Sequence, residues 1–328
     1  MLAVVIIAVG WVGVRGALAK SELESAIPLA SKIQSQVVAG DGAGAGQTFK
    51  ALSGHSSRAS ELTSDPIWRL FEGVPVVGPN LTAVRQLAAI VNDISSNSVG
   101  PLTEVAGTIT LSDFKPVHGS IDLRPLVKAQ PAVSKASAAL GIARRQVAQI
   151  DATETFSVVQ NAVGQLEKAV AKADESVGSV NRAVRVLPSM LGASGPRNYV
   201  LLFQNPAELR ASGGIAGAVA LVHTESGRIA LTQQAAASDF PFYEHPVLKL
   251  PAETRGLYGN ITGQYMQDVN LTPSFPQSAQ LAREMWKREF GVTADGVLSI
   301  DPIALSYILR ATGPITLPTG DVLSSENA

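Results

Sequence analysis

The sequence predicts an α+β protein in three parts: an N-terminal membrane helix, an elongated antiparallel helical bundle and a mixed α/β domain. Three observations indicate this fold class. An uncharged apolar run opens the chain, apolar residues then recur at helical spacing, and short β-rich runs follow. The expected domains are a membrane anchor at 1–19, a helical bundle or coiled-coil stalk at 20–191 and the mixed α/β domain at 192–328.

Residues 1–14 (MLAVVIIAVGWVGV) carry no charge, and the apolar character resumes after Arg15. Nineteen helical residues span roughly 28 Å, so the segment just crosses a hydrocarbon core of about 30 Å if Arg15 reaches the headgroups. Three interpretations stay open, in this order: a membrane anchor, a signal peptide cleaved near residues 17–19, and a buried core helix. Because no Lys or Arg precedes the run, we expect a basic cytoplasmic tail ahead of Met1.

The membrane anchor predicts a single-pass protein of the cell membrane with the bulk of the chain extracytoplasmic. The composition agrees with a folded protein, since 46% of the 328 residues are apolar. With 26 Lys and Arg against 27 Asp and Glu, the chain lacks the basic footprint of a nucleic-acid partner. Since there is no Cys, disulfides, Cys-ligated metal centres and thiol nucleophiles are excluded.

Apolar residues between Thr155 and Pro188 alternate at spacings of three and four, which is a heptad seam. Whether this seam closes within one chain or between two stays open. The segment 40–46 is predicted to be a flexible turn, and Ser64-Asp65-Pro66 a capped helix start. The predicted helices span 2–38, 47–62, 80–110, 124–151 and 154–188. A spacer is favoured over a partner-binding stalk, because no cluster of chemically active side chains lies on these helices.

After Gly192, β-rich runs predict strands at 198–204, 215–224, 228–233, 295–300 and 315–317, with helices at 276–290 and 302–311. Ser226-Gly227 indicates a hairpin, and Asp301 before Pro302 indicates a helix N-cap. The chain stops just after an apparent capped helix start. We therefore expect this domain to be incomplete at its C-terminus.

Arg210 is the first candidate ligand-binding residue. Its guanidinium, next to Glu208 and the Gly213-Gly214 pair, could surround a phosphate together with free backbone N–H groups. Alternatively, and with somewhat more weight, Arg210 pairs with a carboxylate and the glycines serve a tight turn. Asn205 either orients the same ligand or caps a strand end.

Asp239 and Asp268 head two loops and are the best carboxylates for metal binding or general-base chemistry. The alternative is turn or capping chemistry, which Asp in a loop performs far more often. The four histidines follow no metal-ligand or triad spacing, so no cofactor and no metal site are predicted.

Three strings carry a resemblance: GPRNYVLLFQNPAELRASGGIAG at 195–217, DVNLTPSFPQSAQLAREMW at 268–286 and DGVLSIDPIALSYILRATGPITLP at 295–318. They resemble the bacterial, actinobacterial-type envelope family catalogued as domain of unknown function four thousand and twelve. The resemblance implies membrane anchoring with the folded part outside, and it implies no reaction.

The order of elements is also similar, more weakly, to the LytR-CpsA-Psr phosphotransferases, which move glycopolymers from a polyprenyl pyrophosphate carrier to the cell wall. In that resemblance Arg210 falls near their phosphate-binding arginine. Asn205 stands where they keep an acidic residue, and Gly213 or Gly214 where an Asp should follow. The metal-holding acid is thus missing, which leaves a related fold rather than the activity.

Two hypotheses follow. In the first, the protein is a binding or scaffold component of envelope polysaccharide assembly, with a lipid-linked glycan or envelope proteins as partners. In the second, it is a LytR-CpsA-Psr-like phosphotransferase, with Arg210 on the pyrophosphate and Asp239 or Asp268 holding a divalent cation. The second requires these three side chains to converge on one cleft.

Overall fold

The computed structural model describes residues 2–106 and 119–328, which form two compact units. Unit 1 contains the helices up to Pro188. Unit 2 contains Ser189–Ala328 and a short segment ending at Ser120. The boundary between the two units, after Pro188, lies close to residue 192, where the sequence predicts the start of the mixed α/β domain.

The regular elements in the described part of unit 1 are helices joined by short turns. The helix predicted over 80–110 corresponds to a helix at Gly78–Ile94, a π-helical turn at Ser95–Val99 and a second helix at Gly100–Ala106. Residues 107–110 of that prediction lie outside the described residues. The helices are α1 (Leu2–Val38), α2 (Gly42–Thr63), α3 (Pro66–Phe71), α4 (Gly78–Ile94), α5 (Gly100–Ala106), α6 (Arg124–Ala148) and α7 (Ser157–Met190).

Helix α1 confirms the predicted helix over 2–38 and runs through residue 19 without a break. Val12 is buried against Trp68 and Leu81, and Ala19 is fully buried. In the described part of the chain, no helix combines the length and the hydropathy needed to cross a bilayer. The helix is therefore confirmed, and the membrane span predicted for it is not.

Arg15 binds the C-terminal end of α2. Its Nε donates to the carbonyl of Leu62 and its Nη2 to that of Glu61, both at 2.8 Å. The Nε also lies 2.7 Å from a carboxylate oxygen of Asp65, the N-cap of α3. Carbonyls at a helix C-terminus lack intrahelical donors, so this guanidinium supplies donors to the last turn of α2, where Ser64 N also bonds the Glu61 carbonyl.

The turn predicted over 40–46 is confirmed only at its start, since Gly40 lies in a turn at positive φ while residues from Gly42 onward form the first turns of α2. The Asp41 carboxylate accepts a hydrogen bond from Gly44 N at 2.8 Å and so caps the helix. Ala45, in the same turn, is fully buried with residues of α1. The predicted cap at Asp65 is confirmed, since its Oδ1 accepts bonds from Ile67 N and Trp68 N.

The heptad seam of α7 packs inside the chain. Val163 and Val170 are buried with residues of α4 and α6, and Val184 is buried with Ala129 and Val133 of α6. Three residues of the seam, Phe156, Val180 and Leu187, are nevertheless exposed. Small seam residues therefore give a narrow contact between α6 and α7.

Unit 2 is built on a four-stranded mixed sheet in the order β3-β2-β1-β4, in which β4 is parallel to β1 and the other pairs are antiparallel. Ser226 and Gly227, both at positive φ, form the predicted hairpin turn. The strands are β1 (Arg197–Arg210), β2 (Gly213–Glu225), β3 (Arg228–Ala236), β4 (Gly296–Ile300), β5 (Ile315–Thr316) and β6 (Val322–Leu323).

The helices of unit 2 are α8 (Ala252–Tyr258), α9 (Phe275–Phe290) and α10 (Pro302–Thr312). Asp301 caps α10, as predicted, by accepting a bond from Ala304 N. Residues 325–327, where the sequence suggested a helix start, form a turn after the β5–β6 hairpin.

The core of unit 2 lies on one face of the sheet. Trp286 of α9 is fully buried there against Phe240 and Phe290, at ring-centroid distances of 6.1 and 4.5 Å. Met266 and Val269 belong to the same core. Their burial holds the turn Met266–Asp268 against β2, and this turn supplies half of the site described next.

Candidate functional site

The tip of the β1–β2 hairpin requires two glycines. Gly213 has a φ of 123°, and a Cβ there would overlap the side-chain amide of Gln204. A Cβ on Gly214 would overlap the carbonyl of Asn205. Both glycines therefore allow close approach in a tight turn, as the second interpretation of the sequence expected.

Arg210, the last residue of β1, reaches from this tip to Asp268. Its Nη2 lies 3.4 Å from Oδ1 of Asp268, and its Nη1 lies 3.4 Å from the carbonyl of Leu209. Both contacts are long for a charged donor, which usually sits at about 2.7–2.9 Å from its acceptor. The Nε is buried and has no hydrogen-bond partner. The guanidinium is thus held in place with unused donor capacity.

Asp268 is a buried carboxyl, with its side chain 10% exposed. Burial raises the pKa of Asp268 above its ordinary value, and the charge of Arg210 opposes that rise. The long contact to the guanidinium is therefore a weak ion pair in which desolvation outweighs attraction.

Asn270 and Ser212 complete the site. Asn270 is fully buried, and its Nδ2 donates to the carbonyl of Gly214, while its Oδ1 has no hydrogen-bond partner. The hydroxyl of Ser212 donates to the carbonyl of Asn270 at 3.3 Å. These bonds join the hairpin tip to the segment 268–270. The site therefore holds a buried donor on Arg210 and a buried acceptor on Asn270 without partners.

Three other candidate residues from the sequence, Asn205, Glu208 and Asp239, lie outside the site. Asn205 accepts a bond from Ala207 N at 3.1 Å, which stabilises a bulge at residues 206–208 where the register of β1 and β2 shifts. Glu208 is exposed in that bulge. Asp239 is exposed, and its Oδ2 accepts a bond from Ala236 N at 2.7 Å, which is turn chemistry.

The structure thus brings Arg210 and Asp268 together, next to Gly213 and Gly214, while Asp239 is engaged elsewhere. Within residues 2–106 and 119–328, no group of three or more His, Asp or Glu side chains is arranged to hold a metal ion. Asn270 and Ser212 were missed from the sequence. The only signal for them is their place in the strings DVNLTP and RASGG.

Residues 194–328 match the model of a family described as a protein of unknown function (DUF4012). We call this segment the DUF4012 domain. The match confirms the first resemblance and contains every residue of the candidate site. No curated protein and no solved structure matches the chain, so the similarity of the DUF4012 domain to LytR-CpsA-Psr phosphotransferases stays a prediction.

Proposed function

We propose that this protein is a binding or scaffold component of cell-envelope polysaccharide assembly, whose DUF4012 domain holds the phosphate or pyrophosphate of a lipid-linked glycan without catalysis. One observation carries the proposal. Arg210 keeps a buried Nε without a partner and makes only two long contacts, so its guanidinium is placed and still able to bind an anion.

A phosphate suits this arrangement for two reasons. The planar guanidinium presents its donors in a fork that matches two oxygens of a phosphate, and the Arg210 side chain is 24% exposed. The raised pKa of Asp268 favours its neutral form next to a bound anion, which reduces repulsion. Bound phosphate would replace Asp268 as the acceptor for Arg210.

The placement at the membrane rests on other grounds. The uncharged run at 1–14 and the family resemblance support a single-pass protein of the cell membrane with its bulk extracytoplasmic. The lipid-linked glycan and envelope proteins are its proposed partners in that location.

The alternative is a LytR-CpsA-Psr-like phosphotransferase that uses a polyprenyl-pyrophosphate-linked donor. It needs Asp239 or Asp268 to hold a divalent cation beside Arg210. Asp268 contacts Arg210 while Asp239 accepts a bond from its own turn, and within residues 2–106 and 119–328 no group of three or more His, Asp or Glu side chains is arranged to hold a cation. This geometry favours binding without catalysis.

The test measures binding of the ectodomain to undecaprenyl-phosphate-linked glycan and to short polyprenyl pyrophosphates, with and without Mg²⁺. We expect Arg210→Ala to weaken binding by about tenfold or more, the value of a charged hydrogen bond. Arg255→Ala removes an exposed charge of the same domain and should bind as wild type. Asp268→Asn should bind more tightly, because it removes the competing carboxylate.

The outcomes separate the hypotheses. Binding that requires Mg²⁺ and disappears in Arg210→Ala would favour the transferase and call for a turnover assay. Binding that is equal in wild type and Arg210→Ala would contradict the assigned site. No binding by the wild type would contradict both hypotheses and leave an ectodomain that contacts proteins only.

A further inference from the structure

Exposed apolar side chains gather at one end of the helical unit. We call this surface the apolar tip and define it by two stretches, residues 6–14 of α1 and residues 70–77 after α3. Large side chains in both are solvent-exposed, among them Ile7 (71%), Trp11 (48%), Val14 (61%), Leu70 (75%) and Val76 (69%). Contiguous exposed apolar surface of this kind marks an interaction site.

The two stretches flank one buried cluster. Val12 of α1 packs with Trp68 of α3 and Leu81 of α4, and Phe71 packs against the same cluster. The indole Nε1 of Trp68 donates to the carbonyl of Leu81 at 3.1 Å, which holds α3 in place. The tip is therefore one surface, although its two stretches are far apart in the sequence.

Two of the three charged side chains of residues 65–77 have a partner of opposite charge. Asp65 is paired with Arg15, and Glu72 is paired with Arg85, whose Nε and Nη2 donate to its two carboxylate oxygens at 2.6 and 3.1 Å. Arg69 is exposed, and no carboxylate of the described residues lies within ion-pair distance of it. The one uncompensated side chain of residues 65–77 is thus a cation.

The boundary of the tip resembles a membrane interface. The guanidinium of Arg15, the first charge of the chain, lies over the ring of Trp11 at 5.3 Å from its centroid. Tryptophan is enriched at the headgroup level of membranes, whereas Arg15 is held by the end of α2 and by Asp65. Val76, a β-branched residue held at a φ of 68°, keeps its side chain exposed in the adjacent turn. Such strain is typical of functional positions.

We propose that the apolar tip inserts into the headgroup and acyl-chain boundary of a lipid bilayer, with residues 70–77 entering the lipid next to α1. The occupant is lipid because the surface is apolar, ends at a Trp–Arg pair and carries one free cation suited to anionic headgroups. The inference rests on the membrane placement of α1 in the proposed function and extends it to residues 70–77, and it holds whatever the DUF4012 domain binds.

The natural absence of Cys allows a direct test. Leu70→Cys and Val76→Cys, each labelled with an environment-sensitive NBD fluorophore in the full chain, report on the tip. Leu257→Cys is the matched control, because Leu257 is 78% exposed but lies in α8 of unit 2. The proteins are reconstituted into phosphatidylcholine vesicles with and without phosphatidylglycerol.

We expect NBD at positions 70 and 76 to emit at shorter wavelength in vesicles and to be quenched about twofold or more by lipids carrying a nitroxide on the acyl chain. The label at position 257 should change in neither respect. Arg69→Gln should weaken the preference for phosphatidylglycerol by about fivefold, while Arg255→Gln should not. Circular dichroism checks that each variant keeps its helices.

Two results would overturn the proposal. One is a water-like emission from positions 70 and 76 in both kinds of vesicle. The other is the same blue shift in lipid-free solution, which would mean that the tip is covered by a second copy of the chain.

Discussion

Asp268 should make unit 2 less stable as the pH rises. Burial raises its pKa above the ordinary 3.8, and Arg210, at 3.4 Å, offsets this rise only in part. A group whose pKa is higher in the folded state contributes stability that is full below the unfolded pKa. That stability is lost as the pH rises through the folded pKa. Asp268→Asn keeps the shape of the side chain and should abolish this dependence.

The size of the effect has a physical bound. One proton per molecule limits the slope to about 1.4 kcal/mol per pH unit. We therefore expect the free energy of unfolding of the wild type, minus that of Asp268→Asn, to fall as the pH rises above about 4, by less than about 1.4 kcal/mol per pH unit. Urea titration followed by hydrogen exchange of β1 and β2 peptides reads unit 2 separately from the helical unit.

Asp295 provides the matched control, because it pairs with an arginine at the other end of β1. Its carboxylate accepts bonds from Asn198 N and from Arg197, both at 2.8 Å, and these lower its pKa, the backbone bond most. Stability relative to Asp295→Asn should therefore fall as the pH drops. A slope of the same sign for Asp268 would mean that its ion pair dominates. Arg210 would then be fully engaged, and the reasoning for anion binding would be refuted.

Three further substitutions test other contacts. Arg15→Met should lower the stability of unit 1 by about 2 kcal/mol, because it removes two hydrogen bonds to carbonyls and an ion pair. Thermal unfolding followed by circular dichroism measures this loss, and an unchanged midpoint would contradict the capping role. Trp286→Ala should cost about 3–5 kcal/mol in chemical denaturation of unit 2, and a smaller loss would contradict its place in the core. Gly214→Ala should abolish phosphate binding, because its methyl overlaps the carbonyl of Asn205, whereas Gly217→Ala, with open space around it, should bind normally.

The sequence predicted most elements because their apolar faces are read from periodicity alone. The helix over 2–38 and the strands of the β1–β2–β3 meander follow from such patterns. The turn predicted over Gly42–Gly46 was wrong. Its glycine composition favours a turn, but the cap at Asp41 and the packing of Ala45 stabilise a helix there. Contacts between distant segments carry no local signal.

The sequence predicted only part of the site, because contacts between distant segments leave no local pattern. Arg210 and Asp268 could each be selected as charged residues at strand or loop ends, but their meeting depends on the burial of Met266 under the sheet. Asn270 could not be selected, since an isolated Asn in a loop most often serves turn chemistry. Its role depends on the carbonyl of Gly214, which sequence does not reveal.

Two arginines show what decides between stability and binding. A guanidinium next to apolar neighbours needs oxygen acceptors for its N–H groups. The sequence shows where such an arginine stands, but it does not show which groups accept its hydrogen bonds. At Arg15 the chain itself provides two carbonyl acceptors at 2.8 Å and an ion pair with Asp65 at 2.7 Å, so the residue fastens α1 to the end of α2. At Arg210 it provides two at 3.4 Å and none for Nε. The donors left without acceptors at Arg210 are the physical reason to look for a ligand there.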